Sequence, residues 1–110
     1  MAKFELKKAS NGQFFFTLQA DNGETILTSE LYKAKPGALN GIESVKKNAP
    51  DDARYERKVS KGGKPYFVLK AANNEVIGTG EEYSGESARD NGIAAVKSAA
   101  PMAMTDDQAM

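Results

Sequence analysis

Asn40-Gly41-Ile42-Glu43-Ser44-Val45 returns 51 residues later as Asn91-Gly92-Ile93-Ala94-Ala95-Val96. Carried outward from this pair, the same offset takes Tyr32 to Tyr83, Phe16 to Phe67 and Phe4 to Tyr55 without a gap. The chain is therefore a tandem repeat. A repeat decides architecture ahead of other signals, because each unit must bury its apolar face against a partner. Units of about 50 residues are marginal alone, since so small a core offsets little chain entropy. The two halves, residues 3–51 and 54–101, are expected to share one core within a single domain spanning 1–101.

Within the first unit, Phe4 and Leu6 alternate with Glu5 and Lys7, the period of a half-buried strand. Asn11-Gly12 is a hairpin signal, suited to a type I′ turn with positive φ at both central residues. A second strand over 13–20 directs Phe14, Phe16, Leu18 and Ala20 inward, and Asn22-Gly23 marks the next turn. A third strand over 24–29 is read with Ile26 and Thr28 on that same face. In the second unit Phe67, Leu69, Ala71, Ile77 and Thr79 hold the inward places, with Arg57 where Leu6 stood. Pro65 lacks a ladder donor and belongs at a strand start or sheet edge.

The period then changes. Leu39, Ile42, Val45 and Ala49 recur at helical spacing, as do Ala88, Ile93, Val96 and Ala100 with one slip. Helices are expected over 35–48 and 86–99, the first opened by Pro36 and the second capped by Ser84 or Ser87. The segment 52–60 is only one strand long, so it must end the first unit and begin the second at once. One continuous antiparallel sheet with both helices on one face is the simplest closure. Residues 102–110 show no periodicity and are expected to form a disordered tail.

Composition excludes several chemistries. There is no Cys, hence no disulfide, thiolate zinc site or Cys nucleophile, and no His, hence no imidazole base or Ser-His-Asp triad. No cofactor is implied, and the expectation is that the protein is not an enzyme. Net charge is zero, with seven Lys against six acids in 1–51 and eight Lys or Arg against seven in 52–102. Charge therefore does not favour nucleic acid, which binds through a local positive excess. No apolar run approaches membrane-spanning length and the first ten residues hold no signal-like apolar core, so a cytoplasmic protein without a membrane partner is expected.

Three constellations remain. Gly41 and Gly92 interrupt the helices, each at a cost of roughly 1 kcal/mol relative to Ala. They imply either close backbone approach, to the sheet or between helices, or a cleft in which Asn40 and Asn91 hydrogen-bond a ligand. Glu30-x-Tyr32 and Glu81-x-Tyr83 follow the third strands and would add paired carboxylates and phenols to such a cleft, if they do not simply cover the sheet-to-helix corner. Phe15 and Tyr66 face away from the core, and with Lys7, Lys58 and Lys70 they compose a face able to stack unpaired bases. Apolar cover for an open sheet face is the simpler account of the two rings.

The runs Asn22-Gly23-Glu24-x-Ile26-Leu27-x-Ser29-Glu30-x-Tyr32 and Asn40-Gly41-Ile42-Glu43-Ser44-Val45-Lys46-Lys47-Asn48-Ala49 resemble the small bacterial YegP-like family (UPF0339, DUF1508), a domain of unknown function. The similarity covers 3–50 and again 54–101. The second copy departs at Gly80 for Ser29, Ala95 for Ser44 and Ala99 for Asn48, so a polar role for those three would belong to one half only. The resemblance implies a β3-α-β unit, here in tandem, with terminal strands exchanged between repeats, and no established activity. A tandem copy can be its own partner, which makes the expected state a monomer. The function read from the sequence is a small non-catalytic binding or interaction module with a protein or small-ligand partner. Nucleic-acid binding through the exposed sheet face is the alternative.

Overall fold

In a computed structural model, residues 1–109 are described. The elements are β1 (Lys3–Lys8), β2 (Phe14–Gln19), β3 (Thr25–Thr28), α1 (Lys35–Asn48), β4 (Tyr55–Val59), β5 (Pro65–Lys70), β6 (Val76–Thr79), α2 (Glu86–Ala99) and β7 (Met104–Asp107). The seven strands form one sheet in the order β4-β5-β6-β3-β2-β1-β7. The halves meet at its centre, where Thr28 pairs with Thr79, its own counterpart in the repeat. The pseudo-twofold axis therefore runs between those two threonines.

Antiparallel register sets the core. Phe4 faces Leu18, Leu6 faces Phe16, and Leu18 faces Leu27. In the second half Tyr55 faces Leu69, and Leu69 faces Gly78. Against these strands α1 lays Ala38, Ile42 and Val45, and α2 lays Ile93 and Val96, all at most 2% exposed. Each helix contacts strands of both halves, α1 touching β2, β5 and β6, and α2 touching β3 and β5. Neither repeat closes its core without the other.

Several expectations are corrected. A register shift between Leu18 and Gln19 turns Leu27 toward the helices and Thr28 to the opposite face; the second half shifts likewise between Leu69 and Lys70, reversing Thr79. Leu39 is exposed, and Ala38 takes the buried helix position in its place. The hairpin loops carry one left-handed residue each, Gly12, Gly23, Gly63 and Asn74, so none is a type I′ turn. Asn11 and Asn22 instead accept backbone N–H bonds from Gln13 and Glu24. Gly85 is the residue before α2 and caps it with no side chain, leaving both serines without that role.

The largest correction concerns the C-terminal segment. Residues 104–107 form β7, which runs parallel to β1 with Lys3 opposite Met104 and Leu6 opposite Asp107, so the sheet is mixed. Ala103 and Ala109 are buried at either end, and Gln108 N–H donates to the Leu6 carbonyl at 2.8 Å. The carboxylates of Asp106 and Asp107 meet Lys3 and Lys35. Two adjacent acids have no strand signature; long-range partners order them.

Candidate functional site

The interrupted helices are explained by two tyrosines. A side chain at Gly41 would stand 2.8 Å from Tyr32 Cζ and 3.0 Å from Phe16, and one at Gly92 would stand 2.6 Å from Tyr83 Cζ. The approach is of helix to aromatic ring, and no second helix is involved. Tyr32 stacks on Phe16 at 6.2 Å and Tyr83 leans on Phe67 at 6.3 Å, so each phenol is wedged between sheet and helix. In the first half the wedge is tied by two 2.7 Å bonds exchanged between the Phe14 and Tyr32 backbones. In the second half only the Tyr83 N–H to Pro65 carbonyl bond remains, because proline has no N–H to return.

The six candidate ligand residues do not converge on one central cleft. The structure places four of them in two pseudo-equivalent grooves, each between one helix and the second hairpin turn of the other repeat. Glu81, Tyr83 and Asn91 line a groove of about 560 Å³ with Asn22, Glu24, Ile26, Ala88, Gly92 and Ala95. It shares Ala20, Asn22 and Ala95 with a further recess of about 580 Å³ reaching Met1 and Met102. Asn40 lies in the counterpart beside α1, about 430 Å³, with Glu43, Ser44, Lys47, Asn48 and Asn73. Glu30 and Tyr32 line neither groove.

Sequence differences make the grooves unequal. Asn48 donates to the Ser44 carbonyl at 2.8 Å and fills its own groove with polar atoms. At the corresponding places Ala95 and Ala99 leave the α2 side smooth and apolar. No Lys or Arg lines the α2 groove, whereas Glu24 and Glu81 both do, one from each repeat. Burial pushes the Tyr83 phenol above its ordinary pKa, and the neighbouring Glu81 and Glu24 carboxylates push in the same direction. Tyr32 is raised by burial and by Glu30 alone. The arrangement offers an apolar floor, a neutral phenol, two amides and a negative rim. Asn22 and Glu24 read in the sequence as turn residues; their role depends on a contact between repeats that spacing does not reveal.

The second set lies on the face without helices. Phe15 stands opposite Lys7, and Tyr66 opposite Lys58. The two rings lie on strands three spacings apart, about 14 Å across the sheet, and are displaced by two residues each in opposite directions along it. Between them lie Thr17, Thr28, Thr79 and Val68. Lys7 is tied to Glu5 at 3.2 Å, and Lys58 and Lys70 both reach Glu56. Among the described residues, no group of three His, Cys, Asp or Glu side chains is placed to hold a metal ion. No described helix is long and apolar enough to cross a membrane.

Comparison with known proteins matches a domain of unknown function, DUF1508, to residues 9–56 and again to 60–107. In this phase each unit ends on the strand after its helix, β4 or β7. A UPF0339 protein of Shewanella oneidensis is 61% identical over 93 residues, 84% of either chain. A UPF0339 protein of Acinetobacter baylyi is 58% identical over 104 residues, 94% of either chain. The solution NMR structure of a UPF0339 protein from Shewanella oneidensis superimposes with a TM-score of 0.92 at 54% identity, covering 98% of this chain and 92% of that one. That of the protein of unknown function yegP from E. coli gives 0.93 at 48% identity, covering 98% and 93%.

Proposed function

The chain belongs to the DUF1508 family of domains of unknown function, and within it we propose a monomeric, cytoplasmic, non-catalytic binding module whose site is the α2 groove. The observation that carries this reading is that Glu24 and Glu81, from different repeats, line one groove together with Ala20, Ile26, Ala88 and Ala95 and with no cationic side chain. A ligand with an aliphatic or aromatic body and a cationic or donor-rich end matches such a lining, since small-molecule sites are mostly apolar with a few placed polar groups. Absence of His and Cys from the chain supports binding over catalysis.

The test is an NMR titration with a panel of amines and guanidines alongside carboxylates of the same carbon skeleton. Saturable amide shifts at Glu24, Glu81, Tyr83 and Asn91 are expected with the cations alone, weakened at least severalfold by Glu24→Gln together with Glu81→Gln. Equal response to the carboxylates, or shifts confined to the α1 groove, would refute the assignment.

A further inference from the structure

The groove beside α1 departs from its α2 counterpart at the places a ligand would touch. Under the repeat offset Ser44 stands for Ala95, Lys47 for Ser98, Asn48 for Ala99 and Ala72 for Asp21. Each of these differences adds a hydrogen-bonding or cationic group to the α1 side, or removes an acid from it. Glu75 and Glu30, the counterparts of Glu24 and Glu81, do not line the α1 groove. One difference runs the other way, Glu43 for Ala94, and that carboxylate reaches Lys46 at 3.9 Å. Lys47 lines the groove and enters no ion pair among the described residues. Two grooves of common descent thus have opposite character.

Asn48 supplies an independent observation. It is 8% exposed, a polar side chain more than nine-tenths buried. Its Nδ2 donates to the Ser44 carbonyl at 2.8 Å and to Ser44 Oγ at 3.3 Å. A carbonyl can only accept, so this bond fixes which way the amide points. Both Nδ2 hydrogens are then used, and Oδ1 has no partner among the described residues. Among those residues the Thr17 hydroxyl is the one sealed side-chain atom without a partner. Asn48 Oδ1 therefore opens to the groove that its residue lines. The helix does not need this side chain. Asn48 still lies within α1, so the Ser44 carbonyl already accepts its backbone N–H. Ala99 fills the same place in α2 with no amide at all.

The remaining groups define what would pair with Oδ1. Asn73 Oδ1 already accepts the Glu75 N–H at 3.0 Å, which leaves Nδ2 as its free donor. Ser44 Oγ accepts from Asn48, and its own hydrogen is given to no described residue. With the Lys47 ammonium the groove carries three donors, one of them cationic, beside a single fixed acceptor, over Ala71 and Ala72. An anion with no hydrogen to give would leave Oδ1 unpaired, and an uncharged polyol would leave Lys47 unanswered. We propose that the α1 groove binds a small hydroxylated carboxylate, with the carboxylate at Lys47, Ser44 and Asn73 and a hydroxyl donating to Asn48 Oδ1. Its volume of about 430 Å³ is that of a small-molecule site. This site is separate from the α2 groove and takes ligands of opposite charge, so either assignment can fail without the other.

The probe is gluconate, titrated into the full-length isotope-labelled protein beside hexanoate, which lacks the hydroxyls, and sorbitol, which lacks the charge. Saturable shifts of the Ser44, Lys47, Asn48 and Asn73 amides are expected with gluconate, and binding at least severalfold weaker with either control. Asn48→Ala installs the residue of the second copy; it should weaken gluconate binding at least tenfold and leave the response of the α2 groove to amines unchanged. Lys47→Ser, at an exposed position, should weaken it at least severalfold and serves if the Asn48 variant fails to fold. Several results would overturn the proposal: no saturable shift in the α1 groove, equal binding of either control, unchanged affinity in a folded variant, or gluconate shifts confined to Tyr83 and Asn91.

Discussion

Leu27 occupies the space that a side chain at Gly78 would need, and the two positions are counterparts in the repeat. A β-carbon on Gly78 would stand 2.7 Å from Leu27 Cγ, and Leu27 is fully buried. The core at the axis has room for one large residue from the pair, so the two copies must differ here. Leu27→Ala should cost about 2–5 kcal/mol through the cavity it leaves, and Gly78→Ala about 1–3 kcal/mol through overpacking. The double variant should be less destabilised than the sum by about 1 kcal/mol or more, read from urea denaturation as a coupling energy. Additivity would place the axis elsewhere.

Gly41→Ala gains helix propensity worth roughly 1 kcal/mol yet meets the Tyr32 ring. The clash should win, lowering stability by about 1–2 kcal/mol. Shortening Tyr32 to Leu in the same chain should recover part of that loss, measured by thermal unfolding. A stabilised single variant would contradict the wedged-phenol reading.

Thr17 has a buried hydroxyl without a hydrogen-bond partner, whereas its counterpart Val68 presents a methyl group at the same place in the second half. Burying an unpaired hydroxyl costs about 1–3 kcal/mol. Thr17→Val should therefore be neutral or raise stability by up to about 1 kcal/mol, as reported by the denaturation midpoint.

Tyr55 donates its hydroxyl to the Ala49 carbonyl at 2.8 Å and is 7% exposed. Tyr55→Phe leaves that carbonyl unpaired and should cost about 1–2 kcal/mol. Burial first, then the Asp52 carboxylate, pushes the phenol above its ordinary value of 10.0. The stability this contributes is complete below pH 10 and is lost as pH rises further, because the unfolded phenol ionises first. Unfolding followed against pH should show the loss, and Tyr55→Phe should reduce its slope.

Asp107 is held below the ordinary carboxylate range of 3.8, chiefly by its bond to Lys35, against the cost of removing it from water. A depressed carboxyl stabilises above its unfolded value and loses that contribution as pH falls through the folded one. The hydrogen-exchange protection factor of Gln108, whose N–H reports β7 docking, should fall below pH 4 and in Asp107→Asn. Unchanged protection would show β7 held by its backbone pairing alone.

Much of this was legible in the residues. The 51-residue offset and the change from period 2 to helical spacing locate six strands and both helices, including the bounds of α1 and α2. Thr28 does not face inward as its spacing from Ile26 predicts, because a bulge breaks the alternation that Phe14, Phe16 and Leu18 establish. β7 was invisible because its order comes from Lys3, Leu6 and Lys35, some seventy to one hundred residues away in sequence. Of the candidate site, Glu81, Tyr83 and Asn91 do gather, while Glu24 and Asn22 arrive from the other repeat through packing that no local pattern encodes.

The account rests on both repeats sharing one core, and native-state hydrogen exchange tests that most directly. The amides of Leu18 and Leu69, counterparts on β2 and β5, the middle strand of each repeat's meander, should open with the same free energy and the same urea dependence, equal to those of global unfolding. A repeat that exchanges at markedly lower free energy while the other stays protected would contradict it.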